Sequence, residues 1–229
     1  MDDVERKKLK EALSVALKIP FIDDIEDYIW ESIFAYTKGL VAPDPLAETR
    51  SKKLFDLVDE KSSTGWSCKA LQKQGNLSGE LELVVQRADI FKKASDLGFR
   101  KLSIKSDPQI LGNAIIEHLN QKIRTDSQKQ NVKHKKISIL IKNTSRTKFI
   151  AFEEDLFEPD SKDFVWKWTD STKTGLQGII KTKKFCKYRW YPNQKQLFER
   201  FLIPTESEVI EVAYQRVPII KIIETLKSV

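Results

Sequence analysis

Apolar residues recur at helical intervals along the first forty residues of the chain. Val4 to Leu17 has this spacing, Pro20 interrupts it, and Asp23-Asp24 opens a second helix that stops at Gly39. The second helix is predicted to bury a stripe made of Ile25, Tyr28, Ile29, Ser32, Ile33 and Tyr36. Glu26 and Glu31 then lie to one side, and Glu31 would support a metal site only if this helix packs beside the strands that follow.

Two short apolar segments joined by a polar turn occupy residues 54–71. Phe55 to Val58 is typical of a strand, Ser62 to Gly65 of a turn, and Trp66 to Leu71 of the returning strand. In the register that this turn sets, Asp56 and Lys69 lie near each other on paired strands.

The next stretch mixes helical and strand patterns. Leu81 to Gln86 alternates as a strand does and Ala88 to Leu97 follows as a helix, although the two could instead be one helix. Leu102 to Ile104 is a short strand candidate, and Pro108 begins a helix that reaches about Ile123. Residues 124–136 are polar and basic without periodicity, which predicts a mobile loop.

From Ile137 the pattern changes to strands separated by turn signals. The segments are ISILIK, KFIAFEED, DFVWKWTD, LQGIIKT, KFCKYRWY and QLFERFLI. We therefore expect a single α/β domain with a helical region at 1–40, an α/β core at 41–136 and a strand-rich region at 137–229.

The composition permits an ordinary buried core, since 40% of the 229 residues are apolar. The apolar runs Val209 to Val212 and Val217 to Ile223 are too short to span a bilayer, and the charged start lacks the core of a signal peptide. We expect a cytoplasmic protein without a membrane partner.

Cysteine and histidine are too sparse for thiolate or imidazole chemistry. Cys68 and Cys186 cannot form a disulfide scaffold or a zinc site of thiolates, and both are expected to be buried thiols. His118 and His134 are not at metal-ligand spacing. These features count against zinc hydrolases and against nucleases that use a histidine base.

Basic residues are concentrated in one segment, although the net charge of +7 is moderate. Residues 171–195 contain no Asp or Glu and seven basic residues, which are Lys173, Lys181, Lys183, Lys184, Lys187, Arg189 and Lys195. A field of one sign attracts a polyanion such as nucleic acid. The alternative is a solvated basic surface.

The hairpin offers the groups that hydrolysis of a phosphodiester requires. Mg²⁺ prefers oxygen ligands, and Asp56 together with the carbonyl of Cys68 could provide them. Lys69 would be the general base or would position the attacking water. A second carboxylate could come from Asp59, Glu60, Glu80 or Glu82. An Asp56–Lys69 ion pair with only a structural role is the alternative.

The segments Phe55-Asp56 and Gly65 to Leu71 resemble the metal-binding hairpin of type II restriction endonucleases of the PD-(D/E)XK superfamily. Ser67 departs from the usual pattern, which has an acid two residues before the lysine. Some restriction enzymes of this superfamily have Ser-x-Lys, twelve residues and then Glu, and Ser67, Lys69 and Glu82 match that spacing. The resemblance thus assigns catalytic roles to Asp56, Ser67, Lys69 and Glu82, and metal ligation to Asp56, Cys68, Asp59 and Glu82.

The same resemblance implies a mixed central sheet flanked by helices. It also implies Mg²⁺-dependent hydrolysis of double-stranded DNA at a short sequence, with a 5′-phosphate product, by a homodimer on a palindromic site.

A second alignment is open within the same stretch. The PD and (D/E)XK motifs of the superfamily are also matched by Pro43-Asp44 followed by Asp59-Glu60-Lys61. In this alignment Asp44, Asp59 and Lys61 would be the two acids and the lysine of the motif. Two prolines bracket Asp44, which suits a loop better than a strand.

DNA recognition is predicted on the later hairpins, where amide and basic side chains cluster. The candidates are Lys167, Lys173, Gln177, Lys181, Lys183, Lys184, Lys187, Arg189, Asn193, Gln194 and Lys195. Gln, Asn, Arg and Lys read base edges, and other lysines hold phosphates. Trp166, Trp168 and Trp190 are interpreted as core aromatics of a sheet.

The leading prediction is therefore a Mg²⁺-dependent, sequence-specific DNA endonuclease. Two alternatives stay open: a DNA- or RNA-binding protein without catalysis, and a junction or repair nuclease that reads DNA shape.

Overall fold

A computed structural model describes residues 1–42, 53–213 and 216–227 of the chain. The fold is mixed α/β and forms two compact units, each with one five-stranded sheet. The first unit comprises residues 1–78, 127–156 and 204–229, and the second unit comprises 79–126 and 157–203. These units do not follow the predicted division at 136/137, because strands that are distant in the sequence pair with each other in both sheets.

The α-helices in the described residues are α1 (Asp3–Lys18), α2 (Asp27–Lys38), α3 (Ile90–Lys93), α4 (Pro108–Lys129) and α5 (Ile219–Lys227). The strands are β1 (Leu57–Asp59), β2 (Thr64–Lys73), β3 (Glu80–Arg87), β4 (His134–Asn143), β5 (Lys148–Asp155), β6 (Phe164–Trp168), β7 (Leu176–Ile180), β8 (Cys186–Tyr191), β9 (Gln196–Leu202) and β10 (Ile210–Glu211). None of the helices in this described part is long and apolar enough to cross a membrane.

The first unit is built on a mixed sheet in the order β1-β2-β4-β5-β10. β2 and β4 run parallel, from Thr64 opposite His134 to Lys73 opposite Asn143, and the other pairs are antiparallel. α1 and α2 cover one face of this sheet, where Trp30 and Phe34 pack in one core with Trp66. The Trp30 indole N–H also donates to the Ser138 carbonyl at 3.4 Å, which ties α2 to β4.

The buried face of α2 differs from the predicted stripe. Ile29 and Ile33 are buried as expected, but Tyr28 and Tyr36 are 53% and 52% exposed. The face turned to the sheet carries Trp30, Glu31 and Phe34 instead. The prediction was wrong because it counted every apolar position equally, whereas the largest rings take the core and the amphipathic tyrosines keep their hydroxyls in water.

The second unit contains an antiparallel sheet in the order β3-β9-β8-β7-β6. Its buried face holds Trp166, Tyr188 and Trp190, which confirms the core interpretation for these two tryptophans. Gly112 of α4 lies directly on Trp166, since a Cβ at Gly112 would lie 2.1 Å from the Trp166 Cγ. A residue without a side chain is therefore required where α4 meets this sheet.

The strand predictions from residue 137 onward are confirmed by β4 to β9, and the strand at 81–86 is confirmed by β3. Three other predictions were wrong. Residues 102–104 do not form a strand, and the helix at 88–97 is reduced to the single turn of α3 followed by a 3-10 turn that ends at Gly98. The loop at 124–136 is largely ordered, because α4 continues to Lys129 and β4 begins at His134.

Candidate active site

Asp56 lies immediately before β1, at the point where the β1–β2 hairpin is extended by one more backbone contact. Its N–H donates to the Trp66 carbonyl at 2.8 Å, which continues the pairing of Leu57 with Trp66. The preceding residue, Phe55, is held by the side-chain amide of Gln130, which accepts from the Phe55 N–H at 3.3 Å and donates to the Phe55 carbonyl at 2.8 Å. The backbone that carries Asp56 is thus fixed on both sides.

The edge of β2 beyond β1 is where acidic side chains collect. β1 pairs with Thr64 to Trp66, so within the described ranges the N–H groups of Cys68 and Ala70 have no strand partner on this side. The Asp56 carboxylate accepts from Cys68 N–H at 2.7 Å, and the Asp27 carboxylate of α2 accepts from Ala70 N–H at 2.7 Å. Glu31 follows Asp27 by one helical turn on the buried face of α2 and is 7% exposed.

Lys69 brings a cation to the same edge. Its ammonium donates to the Cys68 carbonyl at 3.0 Å and lies 3.9 Å from the Asp56 carboxylate. The side chains of Asp56 and Lys69 are 19% and 25% exposed, so both groups are accessible to solvent. The proximity expected from the hairpin register is confirmed.

The electrostatic environment of Asp56 favours its protonated form. Burial raises the pKa of this carboxyl to about 6, Lys69 and the Cys68 N–H oppose that rise, and the negative charges of Glu31 and Asp27 add to it. Burial also raises the pKa of the Cys68 thiol well above its ordinary value, with Asp56 and Glu31 contributing. This edge of β2 therefore has more negative charge than Lys69 alone offsets.

Carboxylate and carbonyl oxygens are the ligand types that Mg²⁺ prefers. Here the Cys68 carbonyl oxygen lies 3.0 Å and an Asp56 carboxylate oxygen 3.9 Å from the Lys69 ammonium. The described ranges contain no cluster of three or more His, Cys, Asp or Glu side chains arranged to hold a metal. Mg²⁺ does not require such a cluster, because it keeps several waters and binds through one or two carboxylates together with substrate phosphate.

The other predicted site residues lie in different surroundings. Ser67 is buried in β2. Asp59 caps the hairpin turn, where the Ser62 hydroxyl donates to its carboxylate at 2.6 Å and lowers its pKa. Glu82 is on β3 in the second unit and ion-pairs with Arg189 at 3.6 Å and Arg200 at 3.7 Å. Asp44 of the second alignment lies outside the described residues.

Two residues of this arrangement were not found from the sequence. Asp27 accepts a hydrogen bond from the Ala70 N–H of β2, and Gln130 forms hydrogen bonds with the backbone of Phe55. Neither residue therefore belongs to a side-chain motif. Glu31 was named only as conditional on α2 packing beside the hairpin, and the contact of Phe34 with Trp66, at 5.9 Å between ring centroids, meets that condition.

The predicted DNA-contacting residues of the second unit include one continuous row. Lys167 of β6 lies opposite Gln177 of β7, and Gln177 lies opposite Arg189 of β8. Residues directly opposite on neighbouring strands share one face of a sheet, so these three side chains lie on the face away from Trp166 and Trp190.

Of the other predicted DNA-contacting residues, three lysines already have a partner within the protein. Lys187 ion-pairs with Glu199 at 2.9 Å, Lys195 pairs with Asp89 at 2.7 Å, and Lys173 donates to the Ile104 carbonyl at 3.1 Å. Lys181, Lys183, Lys184, Asn193 and Gln194 are exposed in two hairpin turns, and Lys195 is exposed there too although it is paired with Asp89. Three exposed lysines, Lys181, Lys183 and Lys184, therefore lie together in the turn between β7 and β8.

Comparisons of the chain with family models, with curated proteins and with solved structures found no match. What can be proposed about its activity depends on its own residues.

Proposed function

We propose that this chain is a Mg²⁺-dependent endonuclease that hydrolyses double-stranded DNA at a specific sequence, as its resemblance to the PD-(D/E)XK hairpin implies. The observation that carries the proposal is the convergence of the Asp56 carboxylate and the Cys68 carbonyl on the Lys69 ammonium. The neighbouring acids Asp27 and Glu31 add negative charge to the same edge of β2.

Asp56 and the Cys68 carbonyl would hold the cation, and Glu31 would add negative charge behind them. Bound Mg²⁺ would offset charge on the phosphate oxygens and make a water more acidic. Lys69 would leave its present position between the two oxygens and donate to the attacking water or to the phosphate. Its flexible stem permits this movement, since only the Cys68 carbonyl and Asp56 hold its head group among the described residues.

DNA would be contacted by residues of the second unit. The exposed lysines of the β7–β8 turn would bind phosphates, and the row Lys167, Gln177 and Arg189 would approach base edges. A homodimer on a palindromic site belongs to the same proposal.

The test is cleavage of plasmid DNA with and without Mg²⁺. Discrete fragments are expected from the wild-type protein and none from Asp56→Ala or Lys69→Ala, while both variants still retard DNA in a gel. Asp59→Ala is the matched control on the same hairpin, because this residue only caps the turn.

Cleavage that survives in both variants contradicts the proposed site. Loss of cleavage in Asp59→Ala and Lys61→Ala alone favours the alignment that includes Asp44. Cleavage restricted to branched DNA favours a structure-selective nuclease.

A second candidate function is nucleic-acid binding without catalysis. Asp56 and Asp27 already satisfy the N–H groups at the β2 edge, and Lys69 pairs with Asp56, so the cluster has a structural role that needs no metal. Retardation of DNA without cutting at any Mg²⁺ concentration supports this function over the nuclease.

A further inference from the structure

The second unit contains a cavity of about 520 Å³ that no step of the proposed hydrolysis uses. One wall is formed by α4, where the other lining residues stand three, four and seven positions after Asn113. This spacing places them on one side of the helix. The remaining walls come from the chain on either side of Gly98 and from residues 159–161, which precede β6. Every wall therefore belongs to the second unit.

An acceptor atom of Asn120 lacks a partner in this cavity. Asn120 is only 8% exposed, and its side-chain Nδ2 donates to the Pro159 carbonyl at 2.9 Å. Its Oδ1 is buried and has no hydrogen-bond partner among the described residues. Buried polar atoms of native proteins nearly always have a partner. A bound molecule that donates a hydrogen bond would therefore satisfy this amide.

The polar part of the lining carries negative charge. Glu117 and Asp160 line the cavity, and none of the nine described lining residues is Lys or Arg, although the chain contains 40 of them. Arg124 forms an ion pair with Glu117 and offsets part of its charge, but it is not among the lining residues. A cation that donates hydrogen bonds is the ligand that such a lining favours.

The rest of the lining is apolar and consists of Leu97, Phe99, Ile116 and Pro159. A hydrated metal ion gains nothing from such a surface, whereas an organic molecule removes its own apolar area from water there. The volume of the cavity also lies within the range of ~300–1,000 Å³ that is usual for small-molecule sites. The ligand that fits is thus an organic cation with an apolar body.

We propose that this cavity binds a small organic ammonium compound. The ammonium group donates to the Asn120 Oδ1, and the Glu117 and Asp160 carboxylates offset its charge. The hydrocarbon body packs against Phe99 and Ile116. This inference does not depend on the proposed nuclease activity, because the nuclease site belongs to the first unit and the test contains neither DNA nor Mg²⁺.

Isothermal titration calorimetry with phenethylamine at neutral pH tests the site. The amine is a cation at this pH, and we expect a Kd below ~1 mM. Phenethyl alcohol has the same shape without the charge and should bind at least about tenfold more weakly, and the anion phenylacetate should not bind measurably. An amine that does not bind, or that binds no better than the alcohol, overturns the proposal.

Two variants locate the binding in the cavity. Asn120→Leu removes the acceptor at similar volume and should weaken binding of the amine by about tenfold or more. Gln121→Leu makes the same change at the exposed neighbouring position and should leave binding unchanged. Circular dichroism checks folding, and a folded Asn120→Leu protein that binds the amine as the wild type does shows that the proposal is wrong.

Glu117→Gln provides the second variant, because its partly exposed side chain can change without loss of the fold. Removal of this charge should weaken binding of the amine severalfold. If Asn120→Leu does not fold, unchanged binding in Glu117→Gln contradicts the proposal in its place.

Competition with cytidine separates an ammonium ligand from the neutral amino group of a base. Cytidine at about tenfold excess should not displace the amine, because it carries no positive charge at neutral pH. Displacement would assign the cavity to a nucleobase and would overturn the proposal.

Discussion

The Lys69 ammonium lies 3.9 Å from the Asp56 carboxylate, yet the pKa of that carboxyl stays raised to about 6. Burial is the largest influence on this pKa and outweighs the nearby cation, and the negative charges of Glu31 and Asp27 add to the rise. An ionised Asp56 therefore costs stability in the folded protein at neutral pH.

The cost of ionised Asp56 predicts a stability difference that depends on pH. The unfolded carboxyl loses its proton near 3.8 and the folded one near 6, so the folded protein holds more protons between these values and is destabilised as the pH rises through them. Asp56→Asn should raise the free energy of unfolding by about 2 to 3 kcal/mol at pH 7.5, and the difference should disappear below pH ~4. Urea unfolding followed by tryptophan fluorescence measures it.

Asp59→Asn is the control for this measurement. The Ser62 hydroxyl lowers the pKa of the exposed Asp59 carboxyl, so its replacement should give no gain at pH 7.5. An Asp56→Asn protein that is less stable than the wild type at pH 7.5 would show that the Lys69 pair outweighs burial.

Magnesium should raise the melting temperature of the wild-type protein at pH 7.5 in the absence of DNA. A ligand that binds only the folded state stabilises it by mass action. The increase should vanish in Asp56→Asn and shrink in Glu31→Gln, because the first change removes a proposed ligand and the second removes charge behind it. Equal increases in all three proteins in differential scanning calorimetry would place the ion elsewhere.

The exposed turn lysines should contribute to DNA binding through phosphate contacts. Lys183→Ala and Lys184→Ala should each weaken binding and reduce the slope of log K against log salt by about one unit. Lys187→Ala should leave the slope nearly unchanged, because Lys187 is already paired with Glu199 and lies 4.3 Å from the centre of the Phe201 ring. Fluorescence anisotropy at several salt concentrations measures these slopes, with exposed Lys10→Ala as the control.

Gln130 should support the site through the backbone of Phe55. Gln130→Ala removes the acceptor of the Phe55 N–H and the donor to the Phe55 carbonyl, next to the buried Phe55 side chain, and should cost about 2 kcal/mol of stability. Cleavage should fall with little change in DNA affinity, because Asp56 loses its fixed position. Exposed Gln128→Ala, in the last turn of α4 and two residues before Gln130, is the control. Unchanged cleavage in Gln130→Ala would limit Gln130 to a structural role.

Gly112 should tolerate no side chain where α4 meets Trp166. Gly112→Ala places a methyl group 2.1 Å from the Trp166 Cγ, and the resulting strain should cost about 3 kcal/mol. Thermal melting should show a large decrease, whereas Gln121→Ala at an exposed position of α4 should have little effect.

Local patterns were sufficient to predict the elements that depend on neighbours in the sequence. The alternation of β4 to β9 and the turn between β1 and β2 gave correct strands and brought Asp56 next to Lys69. The sequence predicted that α4 ends at about Ile123, short of its end at Lys129, because the last turns of the helix lack apolar periodicity. In these turns Asp126 and Ser127 are buried, and Lys122 forms an ion pair with Asp126 one helical turn away.

Pairings between strands that are distant in the sequence cannot be predicted from local residue patterns. β3 pairs with β9 and β2 pairs with β4, so the two units could not be recognised from residue patterns. Asp27 was not predicted for the same reason. Its partner is the backbone N–H of Ala70, which is not part of any side-chain motif.

The parallel pairing of β2 with β4 has a consequence for how the protein is made. β2 leaves the ribosome long before β4, because residues 74–133 must be synthesised between the two strands. Until β4 has been synthesised, the strand Trp66 to Leu71 keeps an unpaired edge, which other chains can join. Slower folding than in a protein of local contacts is therefore expected.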